Sequence, residues 1–131
     1  MDATPEQLLA MMPHAAGIGV RLEKAEPEEV RGSLPWAAER CTAGGVLHGG
    51  ALMALADSVG AVCAFLNLPE GAGTSTVDSS TRFFRGVRGG TVHAVARVVH
   101  AGRTLITVET DLTDDQKRLV ARTAQTQIVL G

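Results

Sequence analysis

Tyrosine is absent from this chain of 131 residues, and aromatic side chains of every kind make up only 3% of it. A core without rings has to be filled by Ala, Val, Leu and Ile, and the 45% hydrophobic content supplies them. Only two cysteines occur, Cys41 and Cys63, in no CxxC pattern, which argues against a secreted scaffold held by disulfides. Cys63 falls in an apolar helical stretch and reads as a small core residue. Positive charge is not in excess: 12 Lys and Arg against 14 Asp and Glu leave −2, so general nucleic-acid binding is not expected. The longest apolar run, Ala51 to Leu66, is interrupted by Asp57 and Ser58 and is too short to span a membrane comfortably. Residues Met1 to Glu6 are acidic and lack the basic segment that opens a secretory signal, so a cytoplasmic protein is expected. No His, Cys or Asp spacing suggests a metal site, and no nucleophile elbow accompanies a Ser-His-Asp set.

What is present fits one domain, residues 1–131. Thr4-Pro5-Glu6-Gln7 predicts a helix start, with Thr4 as N-cap, Pro5 in the first turn and Gln7 completing a capping box. Pro13 to Gly17 is expected to end that helix. Strands follow at Ile18–Ala25 and Glu29–Leu34, and Trp36 to Gly45 reads as a loop. From Gly49 to Leu66, Leu52, Leu55, Ala56, Val59, Val62, Cys63 and Leu66 recur at helical spacing, and the other faces are also small or apolar. Such a helix should be buried nearly all round.

The second half alternates with period two. Val92, Ala94, Ala96 and Val98 define one strand face, and Ile106, Val108, Thr110 and Leu112 another. Val120, Ala124, Ile128 and Leu130 mark the last strand. Gly89-Gly90, Ala101-Gly102 and Thr113 to Lys117 are short enough for antiparallel hairpins. One helix cannot cover both faces of about six strands, so an α+β domain is expected, its sheet wrapped round the helix and closed by a second copy.

Asp57 carries the sharpest chemical signal: a carboxylate in mid-helix among core-like residues must find donors or shift its proton affinity. A structural role, capping a loop or pairing with an Arg, is the alternative. Val46-Leu47-His48-Gly49-Gly50 opens the same helix. Free backbone N–H groups at a helix start suit a developing negative charge, and glycines let a ligand approach them. The plain alternative for Gly49-Gly50 is a tight turn into the helix.

Gly45-Val46-Leu47-His48-Gly49-Gly50-Ala51-Leu52, running on to Leu55-Ala56-Asp57-Ser58, resembles the signature of hot-dog fold acyl-CoA thioesterases, within them the phenylacetyl-CoA-type (PaaI-like) branch. Ser75-Thr76-Val77-Asp78, Phe83-Phe84-Arg85 and His100 to Leu105 extend the likeness over nearly the whole chain. The resemblance implies a hot-dog fold and hydrolysis of an acyl-CoA to free acid and CoA, with water as co-substrate, no cofactor, and a homo-oligomer (a dimer or a homotetramer built as a dimer of dimers). It implies that Asp57 is the general base or nucleophile, that the Gly49 N–H polarises the thioester carbonyl, and that His48 neighbours the thioester. Thr76 would position the carboxylate or the water. Phe83, Phe84, Arg85 and Arg88, with His100, Gly102, Arg103 and Thr104, match segments lining the CoA channel. Two positions depart from the pattern: Thr42 stands where Asn is usual, losing an amide donor, and Gly86 replaces a Pro.

Gly49 and Asp57 are eight residues apart, about 12 Å along one helix, too far to act on one carbonyl. Two antiparallel copies of the helix would bring Gly49 of one chain to Asp57 of the other. Arg82, Arg85, Arg88 and Arg103 stand out in a chain of net charge −2 and suit the phosphates of CoA, unless they are ordinary solvated charges. Two alternatives to hydrolysis remain open on sequence: a hot-dog module that holds acyl-CoA without turnover, and a hot-dog dehydratase or hydratase.

Overall fold

A computed structural model describes residues 3–131; Met1 and Asp2, part of the acidic opening, lie outside the described residues. The chain runs through α1 (Pro5–Ala10), α2 (Pro13–Ile18), β1 (Arg21–Ala25), β2 (Val30–Pro35), α3 (Gly49–Phe65), β3 (Gly73–Phe83), β4 (Thr91–Ala101), β5 (Leu105–Thr113) and β6 (Leu119–Leu130). The strands form one antiparallel sheet in the order β1-β2-β4-β5-β6-β3. With α3 packed against the sheet, this is the α+β hot-dog arrangement that the resemblance implied.

The capping box forms as expected: the Thr4 N–H donates to Gln7 Oε1 (2.8 Å) and the Gln7 N–H to Thr4 Oγ1 (3.2 Å). Pro13 does not simply end this helix. It starts α2, because its fixed φ and missing N–H suit a first helical turn. Gly19, at φ 100°, closes α2 in the left-handed region, so β1 begins at Arg21 rather than Ile18.

Leu52, Leu55, Ala56, Val59, Val62 and Cys63 of α3 are buried, and burial pushes the Cys63 thiol up to about 11. They meet Val30 and Leu34 of β2, Val92, Ala94 and Ala96 of β4, and Ile106, Val108 and Leu112 of β5. Gly32 lets the layers touch: a Cβ there would lie 2.7 Å from both the Arg21 carbonyl and Val59 Cγ2. One stripe of α3 stays open, however. Gly50, Met53 and Asp57 are exposed and Ala54 and Ala61 half-buried, so within one chain the helix is not covered all round and Asp57 is not enclosed.

One further expectation changes. Gly89-Gly90 is not a hairpin turn, because β3 pairs with β6 and residues 84–90 instead cross to β4 on the other side of β5 and β6. The last strand lies where expected; of the residues that mark it Val120 is buried while Ala124 and Leu130 are exposed, and Thr123, Gln125 and Gln127 are buried. β3 forms the free edge beyond β6, with Val77 56% and Phe83 49% exposed.

Candidate active site

The open stripe of α3 lies over the inner faces of β6 and β3, and these are polar. A bulge at Val77, between the Thr76–Gln127 and Asp78–Thr126 pairs, shifts the alternation of β3. Thr74 and Thr76 before it, and Ser79 and Thr81 after it, therefore all turn toward the helix side, where Thr81 Oγ1 meets Thr123 Oγ1 at 2.7 Å.

Asp57 stands at the centre of this layer. Gln125 Nε2 donates to Asp57 Oδ1 at 3.1 Å, and Thr76 Oγ1 lies 3.4 Å from the same oxygen. Gln127 Nε2 donates to Thr76 Oγ1 at 2.6 Å, which leaves the Thr76 proton free to point at the carboxylate. Thr74 Oγ1 stands 3.1 Å from Gln127 Oε1 and 2.8 Å from the Ile128 carbonyl. The donors of this chain run toward Asp57.

Gly60, one turn along α3, makes room for the layer. A Cβ there would stand 1.8 Å from Gln125 Oε1 and 3.2 Å from Thr110 Oγ1. Both of those oxygens are buried without a hydrogen-bond partner among the described residues. Neither Gln125 nor Gln127 was singled out from the sequence. The available signal was a glycine inside a long helix together with a strand that alternates Thr123, Gln125 and Gln127 as regularly as it alternates apolar residues.

At its N-terminus, α3 is capped by its own His48, whose Nδ1 accepts from the Gly50 N–H at 2.7 Å, placing the neutral ring's proton on Nε2. The Gly49 N–H is not taken by a protein acceptor among the described residues. Phe83 packs on Gly49, where a Cβ would be 3.4 Å from Phe83 Cζ. The segment after Phe83 folds against the loop before the helix. The Leu47 N–H donates to the Val87 carbonyl (2.9 Å), Arg88 Nη1 to the Gly44 carbonyl (3.1 Å), and the Thr42 N–H to the Val46 carbonyl (2.8 Å). Thr42, His48, Gly49, Phe83, Phe84, Arg85 and Arg88 thus gather at one end of the molecule. Arg88 also lines a polar cavity of about 440 Å³, but its carboxylates are engaged, Asp114 by Arg118 and Asp115 by His93, each at 2.8 Å.

His100, Gly102, Arg103 and Thr104 lie at the opposite end, on the β4–β5 hairpin, with the Thr104 carbonyl accepting from the Val129 N–H at 2.8 Å. Leu105 is level with Ile128 and Ser75, whereas Phe83 is level with Ala121 and Leu112. That offset is about 25 Å along the strands at roughly 3.3 Å per residue. The arginines therefore form no single patch within one chain, because a hairpin separates residues that are close in sequence.

Two grooves follow the open stripe. One, of about 340 Å³, is lined by His14, Gly50, Met53, Ala54, Asp57, Ser58 and Ser79. The other, of about 180 Å³, lies one turn further along and is mostly apolar, between Leu8, Met11 and Met12 on one side and Ala61, Val62 and Phe65 on the other.

The profile of the thioesterase superfamily matches residues 44–121, from the loop before α3 into β6. Among solved structures, a thioesterase from Haemophilus influenzae superposes with a TM-score of 0.93 at 26% identity, covering 100% of this chain and 93% of that one. A mutant thioesterase from Pseudomonas aeruginosa gives 0.93 at 28% identity, covering 99% and 96%. By sequence, the proofreading thioesterase EntH of Cronobacter sakazakii is 29% identical over 110 residues, 84% of this chain and 74% of the relative.

Proposed function

The chain belongs to the thioesterase superfamily and is a thioester hydrolase, and we propose that its substrate is an acyl-CoA, cleaved in the cytoplasm at a site completed by a second copy of the chain. The observation that carries this reading is Asp57, held on Oδ1 by Gln125 and Thr76 while facing an open groove beside a free sheet edge. A long, exposed edge strand such as β3, paired with β6 on one side only, is a template for pairing with another chain. Met53 is midway in sequence between Gly49 and Asp57, and it lines the same groove as Ser79 of β3. A two-fold axis between Met53 and Ser79 lays α3 antiparallel to its copy and β3 beside its copy. Gly49 of each protomer then approaches Asp57 of the other. The same axis carries the β4–β5 hairpin of one chain toward Arg85 and Arg88 of its partner. That places the two basic segments about three strand spacings apart, roughly 15 Å, within reach of one extended CoA. Two such dimers form the expected tetramer.

In this site the Asp57 carboxylate takes a proton from water, and the water oxygen attacks the thioester carbon. The Gly49 N–H meets the charge that develops on the carbonyl oxygen. The C–S bond then breaks, and the departing thiolate takes the proton held by Asp57, giving the free acid and CoA. The alternative route, direct attack by Asp57 to form an anhydride that water opens, uses the same groups and, where water attacks the Asp57 carbonyl, leaves solvent oxygen in the enzyme after one turnover in ¹⁸O water. The 180 Å³ apolar groove suits the acyl end, since an apolar cavity of about 150 Å³ accepts a benzene ring. The test is thiol release from a panel of aliphatic and aryl acyl-CoAs. The reading requires turnover of at least one of them and is overturned if the protein binds the panel without cleaving any member.

A further inference from the structure

Gln125 is placed against ordinary stability rules. Its Oε1 and the neighbouring Thr110 Oγ1 are both buried without partners among the described residues, and a buried polar group left unsatisfied is destabilising. Room for the carboxamide exists only because position 60 is glycine, since a Cβ there would stand 1.8 Å from Oε1. Rotating the amide by half a turn would turn Oε1 toward the Asp57 carboxylate, setting two acceptors face to face. The amide is therefore oriented by Asp57, with Nε2 donating to Oδ1 at 3.1 Å. Thr76, itself oriented by Gln127 at 2.6 Å, approaches that same oxygen. Both protein donors thus converge on Oδ1, and neither engages Oδ2.

We infer that Gln125 is a positioning residue that pins Asp57 through Oδ1 and so assigns Oδ2 as the oxygen that takes the proton from water or attacks the thioester, with Gly60 as the position that admits it. The inference rests on Asp57 being the catalytic carboxylate and adds to it which oxygen reacts and what holds the other. The account also explains why an unsatisfied amide is retained in the core. Removing it relieves burial of Oε1 but releases the carboxylate.

The groups facing Asp57 are few. From α3 they are Met53, Ala54, Ser58 and Ala61, from β3 Thr76 and Ser79, from β6 Gln125, and from α2 His14; across the proposed axis His48 of the second copy approaches. Of these His14 and His48 titrate, so the pH profile is measured in a His14→Gln background, and a shift caused by residue 125 is read against that parent.

The experiment compares Gln125→Met, Gln125→Glu, Gly60→Ala and Asp57→Asn for kcat, KM, melting temperature and the pH dependence of kcat/KM in thiol release. Gln125→Met should lower kcat about tenfold to a hundredfold, the scale of a misaligned reacting group, with KM within about twofold of the parent. Its acidic limb should move to higher pH, because the ionised carboxylate has lost a donor, and its melting temperature should not fall. Gln125→Glu preserves shape, sets a second carboxyl against Oδ1, and should move the acidic limb further in the same direction. Gly60→Ala should reproduce the kcat loss of Gln125→Met by displacing the carboxamide. Unchanged kcat and an unmoved acidic limb in both Gln125 variants, alongside an inactive Asp57→Asn, would overturn the inference while leaving the proposed function standing. A lower melting temperature with normal kcat per folded molecule would also overturn it, since Gln125 would then be structural. Turnover retained by Asp57→Asn would overturn the reading of the site itself.

Discussion

Where α3 lies on β2 and β4, the sheet offers it Val30, Leu34, Val92, Ala94 and Ala96; where it lies on β6 and β3, the sheet offers Thr123, Gln125, Gln127, Thr74 and Thr76. The two regions share one helix and one fold but differ in what they contribute. In the first, each buried Leu or Val stabilises by about 1.5–3 kcal/mol. In the second, a hydrogen bond is worth only about 0.5–1.5 kcal/mol net, and each buried polar atom without a partner costs about 1–3 kcal/mol. Thr110 Oγ1 and Gln125 Oε1 both lack one. The polar region therefore adds little stability, and its order is better explained by the carboxylate it holds. Stability is concentrated under one side of α3 and the proposed chemistry under the other.

The comparison breaks most visibly through activity. Asp57→Ala and Gly49→Val should each remove nearly all turnover, the second because its added atoms push against Phe83, already 3.4 Å from a Cβ at that position. Mixing the two inactive chains with subunit exchange should return about a quarter of the wild-type rate. In a two-fold dimer half of the pairs are mixed, and each mixed pair has one intact site of its two. No recovery after exchange has been verified by mass would show that each site lies within one chain.

On the apolar side, the expected loss is one of stability. Leu34→Ala or Leu55→Ala, both at 0% exposure, should destabilise by about 2–5 kcal/mol. Denaturant titration measures that loss, and kcat per folded molecule should stay near wild type. A large kcat loss with unchanged stability would contradict the division.

A smaller effect sharpens the comparison at the ends of the sheet. Arg103→Ala should raise KM for acyl-CoA several-fold with kcat nearly unchanged, and should have much less effect on an acyl-pantetheine that carries no phosphates. Equal effects on the two substrates would make this arginine structural.

The smallest effect is on the outer face, where Glu29 joins β1, β2 and β4 through Arg31 (2.7 Å), Lys24 (3.1 Å) and Arg97 (2.9 Å). Arg31, then Lys24, hold its carboxyl down at about 2 from an ordinary 4.5. A depressed carboxylate contributes stability above its unfolded value and loses it as pH falls through the folded one. Glu29→Gln should therefore melt slightly below wild type at neutral pH, with the two curves converging between about 4.5 and 2. A gap that persists at pH 2 would mean that packing, rather than charge, is responsible.

The apolar half of this division was legible in the sequence, because periodicity reports burial of hydrophobic residues. The long helix, the buried face of β5 and the hairpins either side of β5 follow from it directly. The polar half escaped for the same reason. In β6 the apolar residues Ala124 and Leu130 face outward and the glutamines face inward, so the apolar set that marks the strand does not mark its buried face. β3 is rich in Thr and Ser on both faces, and its bulge at Val77 breaks the alternation, so periodicity alone assigned it no face. Asp57 was found because a carboxylate among alanines and valines is conspicuous. Of its partners, Thr76 was reached through the family resemblance and Gln125 was missed, because a glutamine declares itself only through what it touches.

In the proposed function the chemistry of this hydrolase passes through the Asp57 carboxylate on the polar side of α3. Single-turnover thiol release by Asp57→Asn, which keeps size and hydrogen bonding but removes the basic oxygen, tests it most directly. The account predicts a rate lower by at least about a thousandfold, the scale of removing a positioned base, with an unchanged melting temperature and acyl-CoA affinity. A rate within tenfold of wild type would contradict it.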